Sequence, residues 1–244
     1  MVRADRTWLA RVGGIPWFLR RFGWRQLFLK PLRMWGAPFI VPRLRPGEVM
    51  FRGEALPLFY HPHNVTWANE RAVELPIAFR FMRGARPREI LEVGRVTPHY
   101  MDAGHTVVDK YEPGGVMEDI VDYQTDQRFG LILSVSTFEH IAFDEDPPVT
   151  DEVEIAARVR AAVDKCLSLL APGGLLLVTL PFGYNPAVTR MIADDELGCD
   201  RAVYLKRFPR RAWREVERAE ALACRYARPY VGANAIMVAE WDGP

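Results

Sequence analysis

Residues 88–112 read REILEVGRVTPHYMDAGHTVVDKYE, a pattern that predicts a strand, a turn, a short helix and a second strand. Each of the two apolar runs contains or ends at an acid, Glu92 in the first and Asp109 in the second. In open α/β sheets, small ligands bind beyond the carboxyl ends of the strands, and a carboxylate after the second strand typically accepts hydrogen bonds from ribose hydroxyls. The stretch therefore predicts a nucleoside pocket at one edge of a parallel sheet.

The size and composition of the chain predict one globular domain with an appended segment. With 244 residues, the chain is long enough for one good-sized core but not for two ordinary α/β domains. Its 49% apolar and 26% charged residues exclude the compositions of disordered and collagen-like proteins. We expect a basic amphipathic extension at residues 1–50 and the globular domain at residues 51–244.

Positive charge and tryptophan are concentrated at the N-terminus. Residues 1–46 contain nine Arg and one Lys against Asp5, a net charge of +9, and because the whole chain carries +1, residues 47–244 carry −8. Short apolar runs alternate with these arginines, which predicts two or three short amphipathic helices. Such helices either lie in the headgroup layer of an anionic membrane or pack as a cap on the domain with their arginines facing water. A nucleic-acid partner is not expected, since no known binding module is visible.

The three cysteines, Cys166, Cys199 and Cys224, are far apart and odd in number, which fits neither a disulfide framework nor a zinc site. A reducing cytoplasm is the natural compartment, with a peripheral position at the inner face of the membrane if the basic segment binds lipid. No stretch reaches the roughly 18 consecutive apolar residues that a transmembrane helix requires.

The segment before the first of these strands predicts a helix over residues 66–82, where apolar residues recur at helical spacing. Asn64 or Thr66 is the expected cap, and Pro76 should kink or divide the helix. The polar cluster Asn-Glu-Arg at residues 69–71 faces either a ligand or solvent.

The second half of the chain alternates strands and helices, which predicts a largely parallel sheet flanked by helices and closed by a hairpin. One helix begins at a capping box of Asp151 and Glu154, and another spans residues 209–221. The sequence PGG at residues 172–174 turns the chain into a buried strand. The expected strands outside residues 88–112 lie at residues 49–51, 116–121, 129–135, 175–181, 221–226 and 233–241.

Four blocks of the chain resemble the class I S-adenosylmethionine-dependent methyltransferases. They are ILEVG, VVDKYE, SVSTFEHI and LLAPGGLLLVTLP, and the similarity covers roughly residues 66–241. The sequence segments STFEHI and PFGYNP resemble those of bacterial methyltransferase-like proteins associated with surface-glycan and small-metabolite gene clusters. The resemblance implies a Rossmann-like sheet of seven mostly parallel strands, flanked by helices, with the last strand antiparallel.

One departure from that family concerns the glycine-rich turn, which is reduced here to Glu92-Val93-Gly94. A dinucleotide would need the G-x-G-x-x-G turn that brings backbone close to a pyrophosphate, and the chain lacks it. Acids at the strand ends would also repel a pyrophosphate, whereas they suit a cationic sulfonium. The resemblance therefore implies S-adenosylmethionine as the cofactor.

By this resemblance, three residues of the opening stretch would bind the cofactor. Glu92 would orient its ammonium end directly or through water, Gly94 would let backbone approach its methionine moiety, and Asp109 would accept both ribose hydroxyls. The residues alone leave open a buried acid paired with a helix terminus for Glu92 and a helix cap for Asp109.

The resemblance places the adenine end of the cofactor further along the chain. Asp119 or its neighbour Glu118 would bind the adenine amino group, and Ile120 would cover the ring. Ser136 follows a buried strand and is expected at the same edge of the sheet.

Methyl transfer to a hydroxyl requires alignment of the reactants and a base. His140 is the expected base, because an ordinary histidine pKa of about 6.5 suits proton transfer at neutral pH. Glu139 lies beside it in sequence, and Tyr184 with Asn185 would line the acceptor side.

Four further residues lie close to this site in sequence. His99 and Tyr100 are candidates because they follow the cofactor turn. His61 and His63 could indicate a metal, but two histidines without nearby carboxylates form a weak signal, and we expect no metal.

The function implied is an S-adenosylmethionine-dependent methyltransferase that acts on a small-molecule or glycan acceptor, by O-methylation. The alternative is a non-catalytic binding or scaffolding protein that keeps the same fold, since fold alone does not establish activity.

Overall fold

The structure, a computed structural model, describes residues 24–102, 104–145 and 147–244, with side chains from residue 32 onward. Its first helix, α1, spans Trp24–Ile40. The amphipathic helices expected before residue 24 lie outside the described residues. None of the helices in the described part of the chain is long and apolar enough to cross a membrane.

A two-stranded hairpin precedes the main sheet. Its strands β1, Glu48–Phe51, and β2, Glu54–Pro57, are antiparallel, so the short strand expected near residues 49–51 is present with a partner that the sequence did not indicate. The hairpin is followed by helix α2, Arg71–Met82.

The main sheet has seven strands in the order β4-β3-β5-β6-β9-β7-β8. The strands from β4 to β6 run parallel, while β9 is antiparallel to both of its neighbours and β8 is antiparallel to β7. This arrangement confirms the predicted Rossmann-like sheet with its last strand antiparallel. The seven strands are β3 (Ile90–Val93), β4 (Thr106–Val108), β5 (Phe129–Val135), β6 (Leu170–Pro181), β7 (Arg201–Arg207), β8 (Trp213–Val216) and β9 (Ala235–Asp242).

Apolar side chains cover both faces of the sheet. Successive residues of a strand point to opposite faces, and in β5 Leu131 and Leu133 pack in one core cluster while Ile132 packs in the other. Burial on both faces explains why β5 and β6 read as continuous apolar runs. The helices after α2 are α3 (Glu152–Leu169), α4 (Pro186–Ala193) and α5 (Arg218–Leu222).

The helix predicted over residues 209–221 is wrong, and so is the strand over residues 221–226. Pro209 begins a single 3-10 turn in which Arg210 and Arg211 both have positive φ angles, a conformation that a right-handed helix cannot contain. The chain therefore continues as β8. The predicted last strand, β9, pairs with β6 and with β7, a strand that we did not predict.

The strand predicted at residues 116–121 is reduced to one parallel bridge, between Val108 and Val116. After Val116 the chain turns, because the N–H groups of Asp122 and Tyr123 both donate to the carbonyl of Asp119. The turn predicted at residues 172–174 is instead an irregularity inside β6, where the register with β5 shifts.

Helix α2 begins later than predicted and runs through its proline. Neither Asn64 nor Thr66 caps it, since residues 63–68 form a separate 3-10 segment in which Asn64 and Val65 have positive φ angles. The predicted division at Pro76 is wrong, because the assigned helix is continuous there. The carbonyl of Ala72, which would accept from the N–H that proline lacks, accepts from Phe59 at 2.9 Å. By contrast, Asp151 caps α3 as predicted by accepting from the N–H of Val153.

Candidate functional site

The carboxyl ends of β3, β4 and β5 open onto a cavity of about 550 Å³, which we name the larger cavity. Its wall is formed by the ends of β3 and β4, the loops that follow β3, β4 and β5, the segment at residues 63–64 and Arg71 of α2. Among the residues predicted from sequence, those that line it are Gly94, Asp109, Glu118, Asp119, Ile120, His140, His63, His99 and Tyr100.

Gly94 forms the tight turn after β3. Its φ angle is +83°, and a Cβ at this position would overlap the side chain of Thr137 in the loop after β5. Its N–H donates to the carbonyl of Val108 at 2.9 Å. One glycine therefore suffices for this turn, because only one position needs both a positive φ angle and a close backbone approach.

Glu92 lies behind the turn and not in the wall of the cavity. Its carboxylate is fully buried and accepts from the N–H groups of Val96 and Thr97 at 3.0 and 2.7 Å and from the Thr97 hydroxyl at 2.5 Å. His105 Nε2 lies 2.6 Å from Glu92 Oε2, the oxygen that also accepts from the Thr97 hydroxyl. These contacts match the second interpretation of Glu92, a buried acid paired with a helix terminus, and they fix the turn that follows Gly94.

Asp109 directly follows β4 and lines the larger cavity. Its Oδ2 accepts from the N–H of Arg95 at 2.7 Å, and its Oδ1 accepts from the N–H groups of Tyr111 and Glu112 at 2.8 and 2.7 Å. These three bonds hold the carboxylate in one orientation. They also tie the turn after β3 to the turn after β4.

The loop after β4 contributes both apolar and charged side chains to the larger cavity. Ile120 is buried, whereas Glu118 is exposed. Lys110 Nζ lies 3.1 Å from Asp119 and 2.8 Å from Glu145. Burial lowers the pKa of Lys110, but its hydrogen bonds to Glu145 and Asp119 outweigh that effect and raise it.

A smaller cavity of about 240 Å³ adjoins the larger one, since Asn64, Arg71 and His140 line both. Glu139, predicted as catalytic, and Tyr184, predicted for the acceptor side, line the smaller cavity, whereas Asn185 does not. The other lining residues include Ser136, which we predicted for the cofactor, together with Arg33, Asn69, Glu70 and Tyr226.

A buried network holds the end of β5. Ser136 has a φ angle of +41°, and its hydroxyl donates to Glu74 Oε1 at 2.5 Å. The Thr179 hydroxyl donates to the same oxygen, and Arg71 lies 3.3 Å from Glu74 Oε2. Arg71 also donates to the carbonyl of Val135 at 2.6 Å. Sequence reasoning missed Glu74, and the signal was an acid within the apolar pattern of α2.

His140 lies between two carboxylates. Its Nδ1 is 2.5 Å from Asp144 Oδ2, and its Nε2 is 3.5 Å from Glu139 Oε1. Burial lowers the pKa of His140, but the charge of Glu139 and the hydrogen bond to Asp144 outweigh it, so that the pKa is raised. Tyr184 donates to the same oxygen of Asp144 at 2.5 Å and contacts the imidazole ring edge-on. Asp144 was not predicted.

Glu139 is a buried acid of the smaller cavity, and one of its oxygens is unpaired among the described residues. Its side chain is 2% exposed, and its Oε2 has no hydrogen-bond partner among the residues that the structure describes. Burial raises the pKa of this carboxyl to about 7. Asn185, also expected on this side, donates to the carbonyl of Glu139 at 2.9 Å and caps α4.

A group of aromatic rings lies where the 3-10 segment meets the turn after β3. The rings of His63 and His99 stack with centroids 4.7 Å apart, and Tyr100 contacts His61 and His63 edge-on. Burial and the neighbouring His99 lower the pKa of His63. Within the described ranges, no group of three or more His, Cys, Asp or Glu side chains could hold a metal ion.

No family model and no curated protein matches the chain. Among solved structures, it is similar to the N-methyltransferase NodS from Bradyrhizobium japonicum WM9 in complex with S-adenosyl-L-homocysteine, at 15% identity over 72% of this chain and 87% of that one, with a TM-score of 0.44. The CcbJ methyltransferase from Streptomyces caelestis is 13% identical over 69% of this chain and 88% of its own, with a TM-score of 0.36. Similarities this distant do not establish the chemistry of this chain, which depends on its own residues.

Proposed function

We propose that the chain is an S-adenosylmethionine-dependent methyltransferase, with the cofactor in the larger cavity and the acceptor in the smaller one. The observation that carries the proposal is the pair of adjoining cavities at the carboxyl ends of β3, β4 and β5. Methyl transfer is an in-line displacement that depends mainly on alignment of donor and acceptor. Two cavities that share Asn64, Arg71 and His140 as wall residues suit that requirement.

The wall of the larger cavity fits a nucleoside with a cationic end. In the proposal, Asp109 accepts the ribose hydroxyls, Asp119 or Glu118 binds the adenine amino group, and Ile120 covers the ring. The acids in this wall favour a sulfonium cation over a pyrophosphate. Bound there, the cofactor would supply the electrophilic methyl group.

Two of the residues predicted for the cofactor have a supporting role in this proposal. Glu92 fixes the turn after Gly94 through its buried hydrogen bonds. Ser136 lines the acceptor cavity, where its hydroxyl is already bound to Glu74. Neither side chain is needed as a direct ligand of the cofactor.

The smaller cavity would hold a hydroxyl of a small molecule or a glycan, and methylation would take place on oxygen. Glu139 Oε2 supports a hydroxyl acceptor, because it is a buried oxygen with no donor among the described residues, and a ligand hydroxyl would supply one. The rings of Tyr184 and Tyr226 provide apolar surface beside it, with centroids 5.0 Å apart. The contact network thus favours an acceptor that is polar at its reactive end.

Glu139 is better placed than His140 to take the proton of that hydroxyl. Both imidazole nitrogens of His140 face carboxylates, which stabilises the imidazolium, a form that cannot accept a proton. A carboxyl with a pKa of about 7 is matched to neutral pH, as an efficient general base should be. His140 and Tyr184 would then position Glu139 and the acceptor.

Calorimetric titration of S-adenosylhomocysteine tests the cofactor site. Asp109→Asn keeps an oxygen for the N–H groups of Tyr111 and Glu112 but removes the charge and the acceptor of the Arg95 N–H, so we expect it to weaken binding by about tenfold or more. Asp126→Asn, at an exposed position outside both cavities, should bind like the wild type.

The same titration separates the enzyme from the alternative, a non-catalytic protein of the same fold. A wild-type protein that binds neither S-adenosylhomocysteine nor S-adenosylmethionine would leave only the binding or scaffolding role. Equal loss of affinity in the Asp109 and Asp126 variants would place the ribose elsewhere.

A further inference from the structure

Helix α1 has one face packed on the domain and one face exposed. Ala37 is fully buried, and Arg33, four positions earlier, lines the smaller cavity. Leu32, Trp35 and Phe39 are 66%, 83% and 70% exposed. Their spacing of three and four residues puts them on one side of the helix. The helix therefore acts as a cap through one face and leaves an apolar, aromatic face without a protein partner among the described residues.

This exposed face belongs to the most basic part of the chain. Residues 1–46 carry a net charge of +9. Arg43 and Arg45, just beyond the end of α1, are exposed, and neither forms an ion pair with another described residue. Contiguous exposed apolar surface marks a contact site, and its charged border indicates the partner. Here the partner needs a negatively charged surface for the arginines and an apolar interior beneath it for the exposed side chains.

A second copy of the chain does not fit that description. In a two-fold dimer, the same patch of both subunits meets, so two segments of charge +9 would face each other. Like charges brought together at a contact are unfavourable. An anionic bilayer satisfies both demands, because aromatic and aliphatic side chains enter the boundary between headgroups and acyl chains while arginines stay among the headgroups.

We propose that the Leu32, Trp35 and Phe39 face of α1 docks on the surface of an anionic membrane, with the helix lying in the plane of the headgroups. Charge attraction brings the basic segment to the bilayer, and burial of the three side chains holds it there. The docking does not depend on the methyltransferase activity, so either proposal can fail without the other.

Sedimentation of the full chain with lipid vesicles tests the docking. We expect the wild type to pellet with vesicles of phosphatidylcholine and phosphatidylglycerol, to pellet little with phosphatidylcholine alone, and to be released by added salt. The double variant Trp35→Ala with Phe39→Ala should bind the anionic vesicles more weakly by about tenfold or more. Met117→Ala with Val153→Ala removes two apolar side chains exposed elsewhere and should bind like the wild type.

Three outcomes would overturn the proposal. The wild type could fail to pellet with anionic vesicles, or both double variants could bind equally well. The wild type could also be a dimer in sedimentation velocity and bind no vesicles. If only the Trp35 and Phe39 variant were then monomeric, the face would belong to a contact with a second copy. Circular dichroism of both variants verifies folding, which substitution of exposed side chains should leave unchanged.

Discussion

At the scale of single residues, the charge states of Glu139 and His140 decide how the smaller cavity can work. His140 has a carboxylate near each of its nitrogens, whereas Glu139 has one oxygen near His140 and one without a partner among the described residues. Arg71, Glu74, Glu70 and Arg33 are the other charged groups of this region. Burial is the largest effect on Glu139, and it raises the pKa because it disfavours the ionised form.

Because the pKa of Glu139 is raised, we expect the free energy of unfolding to fall as the pH rises. The carboxyl has a pKa of about 7 when folded against 4.5 as its ordinary value, so the folded state binds the proton more tightly. Its stabilising contribution is complete below pH 4.5 and is lost as pH rises through about 7. We expect Glu139→Gln to be more stable than the wild type at pH 8, by up to about 3 kcal/mol, and to differ little at pH 4.

Urea unfolding at several pH values measures this difference. Glu118→Gln, at an exposed position, is the matched control and should follow the wild type throughout. A Glu139→Gln protein whose stability relative to the wild type does not change with pH would show that the carboxyl is not held protonated by burial.

From the sequence, we predicted where some site residues lie, but we did not predict which groups they contact. Asp109 and Ile120 lie in the cavity wall because residues after a parallel strand come to one edge of the sheet. Glu92 is still within β3, two residues before the turn, and its side chain points beneath that turn to Thr97 and His105. Asp144 could not be found from spacing, because it reaches His140 and Tyr184 only through the local turn of the chain.

At the scale of elements, α2 and the end of β5 are joined by the buried carboxylate of Glu74. It accepts from Ser136 and Thr179 and pairs with Arg71, whose side chain is 14% exposed. Glu74→Ala would leave the guanidinium and two hydroxyls without this acceptor. Since removing one partner of a buried ion pair is strongly destabilising, we expect a loss of roughly 3–5 kcal/mol in the free energy of unfolding.

Chemical denaturation compares this variant with a surface pair. Glu54→Ala removes the partner of Arg80 in an ion pair whose side chains are about half and one-third exposed. We expect a cost of at most about 1 kcal/mol there. Equal losses at both positions would mean that the buried network does not stabilise the sheet edge.

The elements that sequence reasoning found are those whose pattern depends on burial. β5 and β6 are covered on both faces, and their continuous apolar runs predicted β5 with its observed bounds and β6 from Leu175 onward. β7 was missed because it is only partly buried and mixes Arg201, Lys206 and Arg207 with its apolar residues. The wrong helix over residues 209–221 had a suitable proline, but the positive φ angles of Arg210 and Arg211 arise from the turn between two antiparallel strands.

At the scale of the whole molecule, a ligand of the larger cavity should stabilise the entire fold. The cavity is walled by residues from β3, β4 and the loops after them, so a ligand that binds only the folded state shifts the unfolding equilibrium. At a S-adenosylhomocysteine concentration of 100 times Kd, we expect a gain of about 2.7 kcal/mol. For a chain of this size that corresponds to a rise in Tm of roughly 5–10 °C.

Differential scanning calorimetry with and without S-adenosylhomocysteine measures the shift. Asp109→Asn at the same ligand concentration should show a smaller rise than the wild type, while Asp126→Asn should match it. A rise in Tm that is equal in all three proteins would indicate binding at a site that does not involve Asp109.

The single bridge at Val116 attaches one wall of the larger cavity to the edge of the sheet. The loop that carries Glu118 and Ile120 meets the edge of the sheet through two backbone hydrogen bonds, from Asp109 to the Val116 carbonyl at 3.0 Å and from Val116 to the Val107 carbonyl at 2.8 Å. Ile120 of the same loop is buried in the core, so side-chain packing holds this wall in place together with the two backbone bonds. A molecule that contacts both Asp109 and Asp119 would bridge the sheet edge and this loop, and it would stabilise their attachment because it binds only while both are in place.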